Sequence, residues 1–265
     1  MELAYERHGA GEPLVLIHGL GGTRRIWSPV IDLLAAERKV VTVDMPGFGD
    51  SPELPAGLEP TAARLGAAVA DLCATLGFDR PHLGGNSLGA WAALEVAKAG
   101  RAASVCCLSP AGLWRRPLGP RRSDTRRFGL RLRPILPLIL RSARLRNALL
   151  QTTIAHPERL TRQEVAGLIG DWLDSPGYEA ANAQMRSHVF DHPERVTVPT
   201  TIAWCSRDRL VAPPRPERMP PNTRYLVLEG CGHTPTWDDP EGVAALLLES
   251  SSGEAAGAGT AAVTA

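Results

Sequence analysis

Five residues, Gly85-Asn86-Ser87-Leu88-Gly89, restrict this chain more than any other feature. In isolation Gly-x-Ser-x-Gly is a weak pattern. Here an apolar run, Pro81-His82-Leu83-Gly84-Gly85, precedes it, and a helical pattern from Leu88 to Ala99, closed by Gly100, follows at once. A strand that turns directly into a helix through a serine needs glycine on both sides, because the turn leaves no room for Cβ atoms. Such a turn lifts the serine hydroxyl clear of a sheet and over a helix N-terminus, where the dipole favours developing negative charge. An ordinary Gly-Ser turn is the plain alternative, and the strand–turn–helix context argues against it.

The rest of the chain continues this alternation. Short apolar runs occur at Leu14–Ile17, Lys39–Val43, Ala102–Leu108, Pro199–Cys205 and Thr223–Leu228. Bounded by Gly and Pro, they read as buried parallel strands. Helical patterns lie between them at Ile26–Ala36, Thr61–Leu76 and Pro240–Glu249. The expected fold class is α/β, a mostly parallel, doubly wound sheet flanked by helices. The rhythm breaks between Leu113 and His192, where only helical pieces appear (Ile135–Leu150, Thr161–Leu173 and Tyr178–Val189). Residues 113–192 are therefore expected to be a helical insertion in a core made of 1–112 and 193–249. From 250 to 265 the Ser-, Gly- and Ala-rich composition predicts a disordered tail.

At 265 residues and 44% hydrophobic content the chain is long enough for a sizeable core. Its net charge of +1 gives no global attraction to nucleic acid or membrane. No apolar run reaches the ~18 residues of a membrane span, and the N-terminus lacks the basic start and apolar stretch of a signal peptide. A cytoplasmic location is the expectation. The five cysteines include no Cys-x-x-Cys pair and read as buried free thiols. No metal or cofactor is expected.

A serine hydroxyl is a poor nucleophile at neutral pH until a base takes its proton. Histidine is the side chain whose pKa suits that task. Of the seven histidines, His233 lies on a Gly-rich loop just after the last apolar run, in Gly230-Cys231-Gly232-His233-Thr234-Pro235. His8, His18, His82, His156, His188 and His192 fit less well. A carboxylate must orient the base, and Asp208 follows the Pro199–Cys205 run directly. Its alternative is a surface pair with Arg207 or Arg209. Asp238 and Asp239 open a helix, where carboxylates cap the N-terminus. The His18-Gly19-Leu20-Gly21-Gly22 stretch lets backbone approach a substrate oxygen. The Leu20 and Leu88 amides are the candidate oxyanion donors. His18 is read as pinning that loop rather than moving protons.

The chain resembles the α/β-hydrolase superfamily from Leu3 to Glu249. The motifs that carry the resemblance are HGLGG at 18–22, DMPGFGDS at 44–51, GNSLG at 85–89, and Asp208 with GHTP at 232–235. The chain order Ser87, Asp208, His233 is the one this fold requires. The resemblance implies a serine hydrolase without cofactor, with Gly19, Gly85 and Gly89 supporting the site and DMPGFGDS as a structural turn near it. Serine at 87 separates the chain from relatives with an aspartate nucleophile, such as haloalkane dehalogenases and epoxide hydrolases. The insertion occupies the place of the family's cap domain. Between Leu113 and Asn147 it carries eleven arginines against one acid, Asp124. That makes the cap a candidate contact for an anionic partner, or else a solvated face over an apolar lid. The expected reaction is hydrolysis of a small or medium hydrophobic carboxylic ester. Thioester hydrolysis, C–C cleavage of an anionic substrate, and ligand binding with little turnover are the alternatives.

Overall fold

The computed structural model describes residues 1–120 and 125–252. The chain opens with β1 (Tyr5–His8), β2 (Pro13–Ile17), α1 (Ile31–Ala35) and β3 (Lys39–Val43). It continues through α2 (Ala62–Thr75), β4 (His82–Asn86), α3 (Leu88–Lys98) and β5 (Ser104–Leu108). Helices α4 (Thr125–Leu132), α5 (Leu136–Ile139), α6 (Ala143–Leu150), α7 (Arg162–Leu173) and α8 (Tyr178–Ser187) follow. Then come β6 (Thr200–Cys205), β7 (Thr223–Leu228) and α9 (Pro240–Ser250).

One sheet of seven strands runs in the order β1-β3-β2-β4-β5-β6-β7. All neighbours are parallel except β1, which pairs antiparallel with β3. Successive side chains on a strand face opposite sides, and both sides are covered. Val15 and Ile17 pack with Leu65 and Val69 of α2 and Leu94 of α3. Leu14 and Leu16 pack with Leu34 of α1 and with Val243 and Leu247 of α9. Double coverage is why the inner strands read as unbroken apolar runs.

Local chemistry sets the helix ends. Thr61 accepts from the Arg64 amide at 3.3 Å and starts α2, which stops before Gly77 at φ +78°. Asp239 accepts from the Gly242 amide at 3.0 Å and starts α9. The helix expected over 26–36 is instead a 3-10 turn, Arg24–Trp27, and the separate α1, with Pro29 between them. The expected helix 135–150 is likewise split, because Ser142 caps a new start by accepting from the Leu145 amide. Thr161 and Glu164 form a reciprocal capping box at the head of α7. The third expected helix, 178–189, ends two residues early, at Ser187.

Between β5 and β6 the described residues hold helices and no strand. Leu140, Leu150, Ile154, Val165, Ile169 and Leu173 give them a small core of their own. The expected tail boundary at 250 falls early. Ser250 closes α9, and Ser251 is buried, accepting from Arg38 Nε at 3.1 Å. The expectation for 253–265 lies outside the described residues. No helix among the described residues is long and apolar enough to cross a membrane.

Candidate active site

The strand order reverses between β2 and β4. From β2 the chain steps one way to β3; from β4 it steps the other way through β5, β6 and β7. A crevice forms at such a switch point, beyond the carboxyl ends of the strands. The two loops that flank it are His18-Gly19-Leu20, after β2, and Ser87, after β4.

Ser87 has φ 55° and ψ −116°. A residue other than glycine pays about 1–3 kcal/mol for such a backbone. The surroundings impose it: the Ser87 amide donates to Leu108 O at 3.0 Å, and its carbonyl accepts from Ala111 N at 3.0 Å. The flanking glycines are required by contact. A Cβ on Gly85 would lie 2.5 Å from Ala90 Cα, and one on Gly89 would lie 2.2 Å from Ile17 O. Gly19 also faces the elbow, less tightly, its notional Cβ 3.0 Å from Ser87 Cβ.

His233 Nδ1 donates to Asp208 Oδ2 at 2.7 Å. The other carboxylate oxygen accepts from the amides of Leu210 at 2.8 Å and Val211 at 2.9 Å. Burial alone would raise the Asp208 pKa. The His233 hydrogen bond and charge, with the two amides, outweigh it and hold the carboxyl below its ordinary value. A carboxylate on Nδ1 leaves Nε2 as the acceptor. Ser87 and His233 line one cavity, with no hydrogen bond between their side chains in this arrangement. Neither Arg207 nor Arg209 pairs with Asp208; Arg207 instead meets His156, 3.4 Å away.

His18 is wholly buried, with Nδ1 donating to Gly19 O at 2.7 Å and Nε2 accepting from Met45 N at 2.9 Å. Burial lowers its pKa, and both nitrogens are occupied. These two bonds join the loop after β2 to the one after β3. The 44–51 motif is an anchor of the same kind. The buried Asp44 carboxylate accepts from Arg24 N at 2.7 Å, from Asp50 N at 3.0 Å, and from the Arg24 guanidinium. Leu20 lines the cavity, and Leu88 is the first residue of α3. Neither of their amides donates to an acceptor among the described residues.

Two positioning contacts are absent from the sequence reading. Asn86 Nδ2 donates to His233 O at 2.8 Å and Leu108 O at 3.1 Å, tying the histidine loop to the elbow. Asp238, expected to cap α9, does something else. Its oxygens accept from Gly232 N at 2.8 Å, Ala155 N at 3.0 Å and His156 N at 2.8 Å. Only Asp239 caps the helix. Asp238 thereby straps the histidine loop to the chain between α6 and α7, and Thr234 N adds a bond to Thr153 O at 2.8 Å.

The cavity measures about 260 Å³, just below the range of roughly 300–1,000 Å³ usual for ligand sites. Gly19, Leu20, Ser87 and His233 form its floor. The segment between β5 and β6 supplies Trp114, Leu118, Tyr178, Asn182, Met185 and Arg186. Of the eleven arginines between 113 and 147, Arg121 and Arg122 lie outside the described residues, and none of the others lines the cavity. All five cysteines are buried and free. Burial pushes the thiols up, Cys73 to about 11 and Cys106 and Cys231 to about 12, so none is a ready nucleophile. Among the described residues no group of three His, Cys, Asp or Glu converges as a metal site.

Residues 14–246 match the Alpha/beta hydrolase family. The epoxide hydrolase EphH of Mycobacterium tuberculosis is 32% identical over 185 residues, covering 65% of this chain and 86% of that protein. This likeness runs across the expectation drawn from Ser87, which set such enzymes apart. The dihydrolipoyllysine-residue acetyltransferase component of the acetoin cleaving system of Pseudomonas putida is 29% identical over 233 residues. These span 84% of this chain and 59% of that protein. A thermophilic esterase from Thermogutta terrifontis shares the fold, with TM-score 0.69 at 24% identity over 93% of this chain and 92% of that one. With its sheet order and the match along most of its length, the chain belongs to the α/β-hydrolase family of enzymes.

Proposed function

We propose that the chain is a serine esterase acting on small or medium carboxylic esters, with residues 113–192 as the cap over its site. The observation that carries this reading is the 2.7 Å bond from His233 Nδ1 to a buried Asp208 carboxylate, with His233 and Ser87 on one cavity. In this mechanism Ser87 Oγ attacks the ester carbonyl as His233 Nε2 takes its proton. The carbonyl oxygen becomes an oxyanion that accepts from the Leu20 and Leu88 amides. Collapse expels the alcohol with the proton from His233 and leaves an acyl group on Ser87. Water, deprotonated by His233, then attacks that acyl group and frees Ser87. Asp208 holds the imidazole in its productive tautomer throughout.

The likeness to an epoxide hydrolase is the specific reason to weigh a second reading. The atom at position 87 argues against it. Opening an epoxide with a serine oxygen would form an ether, which has no carbonyl for water to attack, and the enzyme would stop after one event. A thioester fits the same steps as an ester.

The test is a fluorophosphonate probe with p-nitrophenyl esters of several chain lengths, applied to the protein and to Ser87→Ala. Labelling and turnover that both vanish in the variant are expected. Equal labelling of the two proteins would refute the assignment.

A further inference from the structure

About two turns of α8 give the cavity a polar wall. Residues 178, 182, 185 and 186 all line it, at the spacing of a single helix face. Two of them carry polar groups left wholly or partly without partners among the described residues. Asn182 is 6% exposed, yet its side-chain amide makes no hydrogen bond with the described residues. Its amide atoms are not among the fully buried polar atoms that lack a partner, so the amide keeps its access to the cavity that the residue lines. Arg186 is partly buried and pairs with no carboxylate among the described residues. Its Nε donates to Gly119 O at 2.8 Å, and Nη2 lies 3.5 Å from Leu118 O. Those carbonyls orient the guanidinium and leave it, among the described residues, with no carboxylate partner and with Nη1 lacking an acceptor.

From this pair we infer that Asn182 and Arg186 form a subsite for a free carboxylate carried by the substrate. The inference rests on reading this cavity as the substrate site. One cation with no carboxylate partner among the described residues, one helical turn from a neutral amide on the same cavity-lining face, matches a planar monoanion: Arg186 Nη1 and Asn182 Nδ2 offer a donor to each oxygen. The apolar side chains Trp114, Leu118 and Met185, which also line the cavity, suit a short hydrocarbon spacer between that carboxylate and the scissile carbonyl. The volume of about 260 Å³ leaves room for a small acid. The arginine-rich stretch between 113 and 147, by contrast, contributes no described cation to this cavity.

The test is calorimetric binding to the Ser87→Ala protein, with monomethyl glutarate as the acidic probe and dimethyl glutarate as its neutral counterpart. The half-ester is expected to bind about tenfold tighter or better, the size of a charge-assisted hydrogen bond. Asn182→Leu breaks no hydrogen bond among the described residues, and circular dichroism checks that the fold is kept; with Arg186→Met it should bring the ratio of affinities toward one. Arg186→Lys should retain part of the preference. Equal affinity for the two probes, no measurable binding of the half-ester, or a preference that survives both substitutions would overturn the subsite. Turnover of neutral p-nitrophenyl esters with no acid preference would leave the esterase reading standing without it. Acid-selective binding without Ser87-dependent turnover of any ester would leave the subsite and remove the esterase reading.

Discussion

Replacing Asp208 by Asn probes the site at its most sensitive point. The two side chains have nearly the same shape, so packing survives. The neighbours then decide which way the new amide faces. Leu210 N at 2.8 Å and Val211 N at 2.9 Å both need an acceptor, so the amide oxygen must take the place of Oδ1. The NH2 group then falls where Oδ2 lies, 2.7 Å from His233 Nδ1. It can only donate, so Nδ1 must accept, and the ring proton moves to Nε2. A histidine with Nε2–H cannot take the Ser87 proton. The equivalent change in a known Ser-His-Asp triad lowers turnover by about 10⁴, or roughly 5.5 kcal/mol of barrier at 1.36 kcal/mol per decade. The assay is kcat/KM for a p-nitrophenyl ester, with circular dichroism to verify the fold. A variant within about tenfold of the parent, 1.4 kcal/mol, would refute the reasoning, since the tautomer would then be set by something other than Asp208.

Three further outcomes are expected. Asp238→Leu orphans the amides of Gly232, Ala155 and His156; at about 1–3 kcal/mol per buried unsatisfied group, denaturant unfolding should shift by about 3 kcal/mol or more, and an unmoved midpoint would deny Asp238 its strapping role. Gly89→Ala places a Cβ 2.2 Å from Ile17 O and 2.3 Å from His18 O; backbone must shift, so a loss above about 4 kcal/mol is expected, and an unchanged melting temperature would contradict the contact. Asp208 titrates below its ordinary value in the folded protein. Its contribution to stability is therefore complete above the unfolded carboxyl pKa of about 3.9 and is lost as pH falls through the lower folded value. Between about pH 6 and pH 3 the parent should lose more unfolding free energy than Asp208→Asn, and equal losses would show that Asp208 carries no such term.

Much of the fold is legible along the chain because it follows from short-range rules. Strands buried on both faces must be apolar throughout, so β3 is readable to the residue; β7, a half-buried edge strand, is readable because its Tyr-Leu-Val-Leu run stays apolar. β1 escapes that reading. It has four residues at the sheet edge, with Glu6 and Arg7 facing solvent, and no apolar pattern survives. Helix α4 escapes for a related reason, since Thr-Arg-Arg-Phe-Gly-Leu-Arg-Leu carries too few apolar positions to mark a buried stripe.

The candidate site divides in the same way. Ser87 and its glycines are visible because the steric demand of the elbow is local and acts on adjacent residues. His233 and Asp208 are visible because each follows a readable strand. Asn86 bonding to His233 O, 147 residues away, is not visible, nor is Asp238 bonding to Ala155 N, 83 residues away. Those bonds depend on which loops the sheet order brings together. Charge is the sharpest case. Counting arginines along the sequence points to 115–146, while the cation on the cavity wall is Arg186. A count records how much charge a segment holds. Which charge loses its solvent and meets a ligand is decided by the rotation of α8 over the sheet, and so by tertiary packing alone.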